Sequence, residues 1–349
     1  MKALKKEKFV FVNALRGIAA LLVVIFHLQI HVFFTEDTIP RYSLTWWLVL
    51  GFFDLGKYAV ALFFMVSGFL IPATLRGPSA SLKKFAIHRF FRLYPAYWFS
   101  ILFFFLAYRV MGEDAIFPLP VILLNLTMLQ KFFGKMDIIG VFWTLQIELI
   151  FYFLCVFLFA IKRLNHQLTV LWTLVPLGLA AAAVRFVTYK QIPVAIFLAL
   201  LLMFLGDTLR AYREGTVRKA QVHQSLALVL VSIVPICYLG YQKEFLRYLL
   251  TYYSAIATFY VSFLNAEKFS NSPLICRISN FIGDISYGVY LTGAVLQVAV
   301  ARFYYAQYGN KYVATVLLLT AVILLSFALY RWLEQPCIRF GRKLTTPRS

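Results

Sequence analysis

The sequence predicts an all-α, polytopic integral membrane protein of about ten transmembrane helices with both termini cytoplasmic, and three observations predict it. The 349 residues are 62% hydrophobic, 18% aromatic and only 14% charged, with a mean hydropathy of +0.79. A soluble core cannot absorb that much apolar side chain. Apolar runs of about 20 residues, the length that crosses a bilayer as helix, recur along the whole chain. The basic residues, finally, gather between those runs and mostly on alternate sides.

By hydropathy and length the helices are expected at 9–33, 46–74, 93–111, 138–161, 167–187, 191–209, 224–241, 245–264, 281–305 and 311–333. The run at 116–130, which opens on Pro118 and Pro120 and contains Asn125, is too short to span and is expected to be re-entrant or interfacial. Numbering the loops alternately puts 21 Lys and Arg on the side of both termini and 11 on the other. The positive-inside rule then makes the termini cytoplasmic. No linker or low-complexity tract interrupts the runs, so 1–349 reads as a single membrane domain with no separate soluble domain, placed in the cell inner membrane.

Net charge is +20, a value that could point to nucleic acid, but the basic residues flank apolar runs and no basic soluble domain exists to use them, so no nucleic-acid partner is expected. Cys155, Cys237, Cys276 and Cys337 form no C-x-x-C pair and have no His at zinc spacing. They read as free thiols, and no metal is expected. The first apolar run lacks a small-residue cleavage site and carries Arg16 and His27, so it is expected to stay in the mature chain.

An ionisable side chain inside a span costs about 2.5–3.5 kcal/mol on insertion scales and needs a reason. Arg16, His27 and Glu148 are the clearest cases. Arg16 and His27 are eleven residues apart on one helix, which means roughly 16 Å of rise with about 20° of angular offset. They share a face at two depths. Glu148, on a helix running the other way, reaches a depth near His27, so the carboxylate could orient the imidazole and raise its basicity for taking a proton from a hydroxyl. Both groups could equally be polar glue between packed helices.

At these residues the chain resembles acyltransferase family 3. Asn13-Ala14-Leu15-Arg16-Gly17-Ile18-Ala19-Ala20 followed by His27 looks like the family's first-helix signature of an Arg, ten residues and a His. Phe63-Phe64-Met65-Val66-Ser67-Gly68-Phe69-Leu70, Arg89-Phe90-Phe91-Arg92-Leu93-Tyr94-Pro95 and Trp143-Thr144-Leu145-Gln146-Ile147-Glu148 resemble later elements in family order. Gly283-Asp284-Ile285-Ser286-Tyr287-Gly288-Val289-Tyr290-Leu291 and the Glu334-Gln335-Pro336 that closes the last helix complete the match. One departure stands out: Gly293 occupies a position where many relatives carry a second His. No esterase-like extracytoplasmic domain of the kind some relatives append is expected.

The resemblance implies an acyltransferase that takes an acyl group, usually acetyl, from cytoplasmic acyl-CoA (acetyl-CoA in the usual case) to a hydroxyl of a glycan such as O-antigen, exopolysaccharide or peptidoglycan. His27 is then the general base or is itself transiently acylated, with Glu148 beside it. Arg16, Arg89 and Arg92 would clamp the CoA phosphates, though Arg89 and Arg92 also fit as positive-inside anchors. Ser67, Ser286, Tyr287 and Glu334 are expected at the donor site, with Ser67-Gly68 serving either the thioester arm or helix packing. Trp143 is expected to stack on the acceptor sugar or to join an interfacial aromatic belt. Membrane lipid and a second copy of the chain are further expected partners. A transporter of lipid-linked sugars would share the helices and charges, but no internal repeat or paired broken helices mark one, and a scaffold would have no use for His27.

Overall fold

The computed structural model describes residues 9–29, 43–49, 51–77, 80–112, 116–305 and 308–346. Every regular element among them is helical. The expected end of the first helix near residue 33 and the basic residues at the extreme N-terminus lie outside the described residues.

Helix α1 spans Val10–Leu28. The single helix expected over 46–74 is instead a short α2 (Leu44–Val49) and a separate α3 (Leu55–Leu70). The break has a local cause: Asp54 is extended and its carboxylate caps α3 by accepting from the Lys57 amide at 2.8 Å. Helix α4 (Leu82–Val110) begins eleven residues earlier than the expected 93, which places Arg89 and Arg92 inside the helix rather than at its mouth. The doubtful run contains only α5 (Leu119–Leu126), eight residues long and too short to cross. Asn125 ties it down, donating to the Val121 and Met136 carbonyls and accepting from the Ile138 amide.

The remaining elements are α6 (Trp143–Ala160), α7 (Gln167–Thr188), α8 (Val194–Arg213), α9 (Lys219–Tyr241), α10 (Phe245–Leu264), α11 (Ala266–Asn271), α12 (Pro273–Val300), α13 (Lys311–Leu329) and α14 (Gln335–Lys343). Nine segments among the described residues are long and apolar enough to cross a membrane. One of them, Lys219–Leu264, is 46 residues long and folds back at Gln242–Glu244, so α9 and α10 form a hairpin. Tyr253 donates to the Leu230 carbonyl (2.7 Å), a pairing roughly symmetric about the turn.

The last segment corrects another expectation. Glu334-Gln335-Pro336 does not end the helix: a π-helical turn over Tyr330–Glu334 leads directly into α14. Pro336 sits in the first turn of α14, where its missing N–H would have had no intrahelical partner anyway.

Two close helix crossings position the functional groups. Where α1 meets α12, a Cβ on Gly17 would lie 2.7 Å from Ile282 Cβ, and one on Gly283 would lie 2.8 Å from Asn13 Cα. Glycine at both positions lets the backbones meet. Where α3 meets α8, Gly68 lies directly on the Met203 backbone. The packing role considered for the Ser67-Gly68 pair therefore belongs to Gly68. Gly293 has a similar cause: a Cβ there would collide with the Val24 side chain, so the tight fit of α12 on α1 leaves no room for a larger residue.

Candidate active site

Five helices converge on a pocket of about 120 Å³ near the N-terminal half of α1. Arg16 enters it from α1, because the Gly17–Gly283 crossing lets the guanidinium reach α12. There Arg16 donates to the Gly283 carbonyl through Nε (3.1 Å) and through Nη2. The Ser286 hydroxyl donates to the same carbonyl at 2.8 Å. Ser67 contributes from α3 with Val60, Phe63 and Phe64, residues spaced by three and four and therefore on one face.

Helix α6 presents Leu145, Glu148 and Tyr152 by the same spacing. The Tyr152 hydroxyl donates to Glu148 Oε1, one turn back on the helix. The Arg89 guanidinium lies 5.5 Å from the Tyr152 ring centre and 5.5 Å from that of Phe85. Arg92 bonds Glu334 at 3.1 Å, and Glu334 is almost fully buried. Tyr287 lines the pocket with its ring while its hydroxyl donates to the Leu93 carbonyl at 3.0 Å, fastening α12 to α4.

The far end of the pocket is closed by aromatic residues. Phe63 and Tyr290 meet edge to face at 5.6 Å, and the Tyr290 hydroxyl is 2.5 Å from that of Thr144. At its near end the pocket opens into a vestibule of about 630 Å³, with Arg16, Arg89 and Arg92 lining both spaces. Lys84, His88, Asp284, Gln335, Arg342 and Thr345 line only the vestibule.

Arg16, Ser67, Arg89, Arg92, Glu148, Ser286 and Tyr287, expected from the sequence, thus share one pocket. Glu334 stands behind it as the counter-ion of Arg92. His27 and Trp143 do not line it. His27 is next to last in α1, with Nδ1 2.8 Å from the Val23 carbonyl. The ring of the adjacent Phe26 covers Gly56 on α3, and Gly56 is one helical turn beyond Val60, a pocket residue. Gly56 is also seven residues beyond Phe63, so His27 stands about two turns past the aromatic end of the pocket. Trp143, the first residue of α6, is partly buried at the edge of the main core.

Sequence reasoning did not single out Tyr152, Tyr290 or the vestibule residues. Lys84 and His88 were readable: with Arg92 they repeat every fourth residue and so form one stripe on α4. The vestibule side chains of α14 gave no signal, because that helix was not expected.

Residues 9–331 match the model of acyltransferase family 3, described as an acyltransferase domain. The chain belongs to that family. As a family member with nine membrane-length apolar segments among its described residues, it is a multi-pass membrane acyltransferase. The curated proteins include a similar one, the "Putative acetyltransferase ORF330" of Acidianus two-tailed virus, 27% identical over 291 residues that cover 79% of this chain and 80% of that protein. No solved structure gives a significant match. Family membership accounts for the convergence of the motif residues from five distant stretches of sequence, which a helix bundle held by packing alone would not need.

Proposed function

We propose that the protein transfers an acyl group, acetyl or similarly short, from cytoplasmic acyl-CoA to a hydroxyl of a cell-surface or lipid-linked glycan at the inner membrane. The observation that carries this reading is that Arg16, Arg89 and Arg92 line both a basic vestibule and a narrow pocket where Glu148 and Tyr152 lie. An anionic nucleotide suits the first, since arginine forks bind phosphate by paired, charge-assisted bonds. A thin pantetheine arm suits the second. The small volume and the Phe63–Tyr290 closure favour a short acyl chain. The printed name of the viral relative is consistent with acetyl.

In this reading His27 takes the proton of the acceptor hydroxyl as the hydroxyl oxygen attacks the thioester carbonyl. The carbon–sulfur bond breaks and CoA leaves as thiolate, which the proton released by His27 can neutralise. Both routes open to His27, general base and transient acylation, bring the thioester carbonyl to the imidazole and so require the Phe63–Tyr290 closure to open. Glu148, expected beside His27, instead lies inside the pocket with Tyr152, on the other side of the Phe63–Tyr290 closure from the imidazole, so it is not the group that orients His27. The hairpin of α9 and α10 counts as two crossings, which makes ten and puts both termini in the cytoplasm with the vestibule. Residues 1–349 then act as one membrane domain.

The test is acylation of the glycan in membranes, with release of free CoA measured in parallel on purified protein. Neither product above background would rule out the enzyme reading of this donor and acceptor. Reporter fusions after Gly112 and after Thr346 test the orientation: cytoplasmic activity is expected only at Thr346, and cytoplasmic activity at both would overturn the ten-crossing arrangement.

A further inference from the structure

We propose that Lys84 and Arg342 form a second anion subsite in the vestibule, outside the Arg16–Arg89–Arg92 tier, and that it takes the 3′-phosphate of the CoA nucleotide. The proposal rests on the acyl-CoA reading above and adds a specificity to it.

CoA carries two separate anionic groups: a diphosphate where the pantetheine arm begins, and a phosphate on the ribose of the adenosine. The protein presents cations in two tiers in the same order. The inner tier lines both pocket and vestibule, so it stands where an arm threaded into the pocket must begin. Lys84 lies on the same stripe of α4 as Arg92, two turns further out, about 12 Å along the helix. Arg342 comes from α14, which is packed on α4 between the levels of Phe91 and His88, one to two turns inside Lys84, and it lines the vestibule without lining the pocket. Gly341 rests on the Phe91 ring, Phe340 meets Phe91 edge to face at 5.3 Å, and His88 Nε2 is 2.9 Å from Thr345 Oγ1.

The charge balance points the same way. Glu334 is taken up by Arg92. Asp284, the only acidic residue lining the vestibule among the described residues, adjoins Gly283, whose carbonyl already holds Arg16 at the inner tier. Among the described residues neither Lys84 nor Arg342 has an ion-pair partner, although both line a space of about 630 Å³. A ligand bearing only a diphosphate would leave them unused. A third phosphate gives them a partner.

Binding of CoA and of 3′-dephospho-CoA to the purified full-length protein separates the two tiers, and because neither ligand carries an acyl group no turnover intervenes. Wild-type protein should bind CoA about 10- to 100-fold more tightly, the range of one or two charge-assisted bonds. Lys84→Gln combined with Arg342→Gln should abolish that preference and leave the affinity for 3′-dephospho-CoA unchanged, so the second ligand also reports that the variant is folded. Lys84→Arg should keep the preference. Equal binding of the two ligands by wild type, or an undiminished preference in the double variant, overturns the subsite and leaves the donor reading standing. A double variant that weakens on both ligands alike also overturns it, since the residues would then serve the nucleotide as a whole. Failure of wild type to bind either ligand overturns the donor reading itself.

Discussion

The two ends of the helix bundle use the same charged residue types in opposite ways. Around Arg16, the guanidiniums of Arg16, Arg89 and Arg92 are held by backbone, ring or a single carboxylate and border open space. Around Asp54, at the end that holds His27, charges neutralise one another. Asp54 pairs with Lys57 and Arg247, each at 3.2 Å, Arg247 pairs with Glu244 at 3.1 Å, and the Lys57 ammonium donates to the Tyr248 hydroxyl at 2.6 Å. None of these residues lines the pocket or the vestibule. They staple α3 to the α9–α10 hairpin. A buried ion in a membrane protein therefore marks a functional site when it also borders space, and otherwise is as readily a fastening between helices.

His27 is the residue on which this contrast is most exposed, because it stands at the stapled end yet is proposed to act on the contents of the pocket. His27→Ala should keep expression and CoA binding and lose about 10²- to 10⁴-fold of glycan acylation, the usual contribution of a positioned general base. Glycan acylation in membranes holding equal amounts of each variant is the measurement. Transfer at the wild-type rate would make His27 one more packing group and confine the chemistry to the Arg16 end.

Arg92 and Arg89 sharpen the comparison within the open end, since only Arg92 has a buried counter-ion. Arg92→Ala strands Glu334, which is 1% exposed, and should lower stability in detergent by about 3–5 kcal/mol, the cost of breaking a buried pair. Adding Glu334→Gln should recover most of it. Arg89→Ala should leave thermal unfolding unchanged and weaken CoA binding by about 10- to 100-fold, the range for lost charge-assisted bonds. Lys at 89 should restore only part, lacking the planar fork. Equal loss of stability in both alanine variants would mean that the R-x-x-R pair is a membrane anchor and not a clamp.

The sequence made one of these ends far more legible than the other. Arg16, Arg89, Arg92, Glu148 and Ser286 announced themselves because ionisable or polar residues in apolar helices are costly and the family spacing ties them together. Their convergence was not visible, since it depends on Gly17 and Gly283 bringing α1 onto α12. The all-helical, membrane-length runs followed from hydropathy, but their ends moved where a local group intervened: the Asp54 cap split the second run, and the π-turn at Tyr330–Glu334 carried the last one into α14. Lys57 and Arg247 counted only among the 11 cations of the less basic side. Arg247 reaches Asp54, which Lys57 also pairs, across nearly two hundred positions, beyond any periodicity.

The stapled end yields the smallest expected effect and the cleanest control. Asp54→Asn keeps the size of the side chain and an oxygen that can still cap α3, so the helix should still begin at Leu55. What it removes is the charge that Lys57 and Arg247 share. Lys57 and Arg247 then lose the carboxylate that both of them share. Thermal stability should fall by about 1–3 kcal/mol, the scale of lost bonds to a charged group. It should fall less than in Arg92→Ala because water reaches Lys57. Donor affinity and acyl transfer per folded molecule should be unchanged, since the cluster stands outside both cavities. Measuring the unfolding midpoint and CoA affinity on the same preparation decides the matter. A variant that unfolds like wild type but transfers acyl groups slowly would show that this end also serves the reaction, and the division between an open, working end and a stapled one would fail.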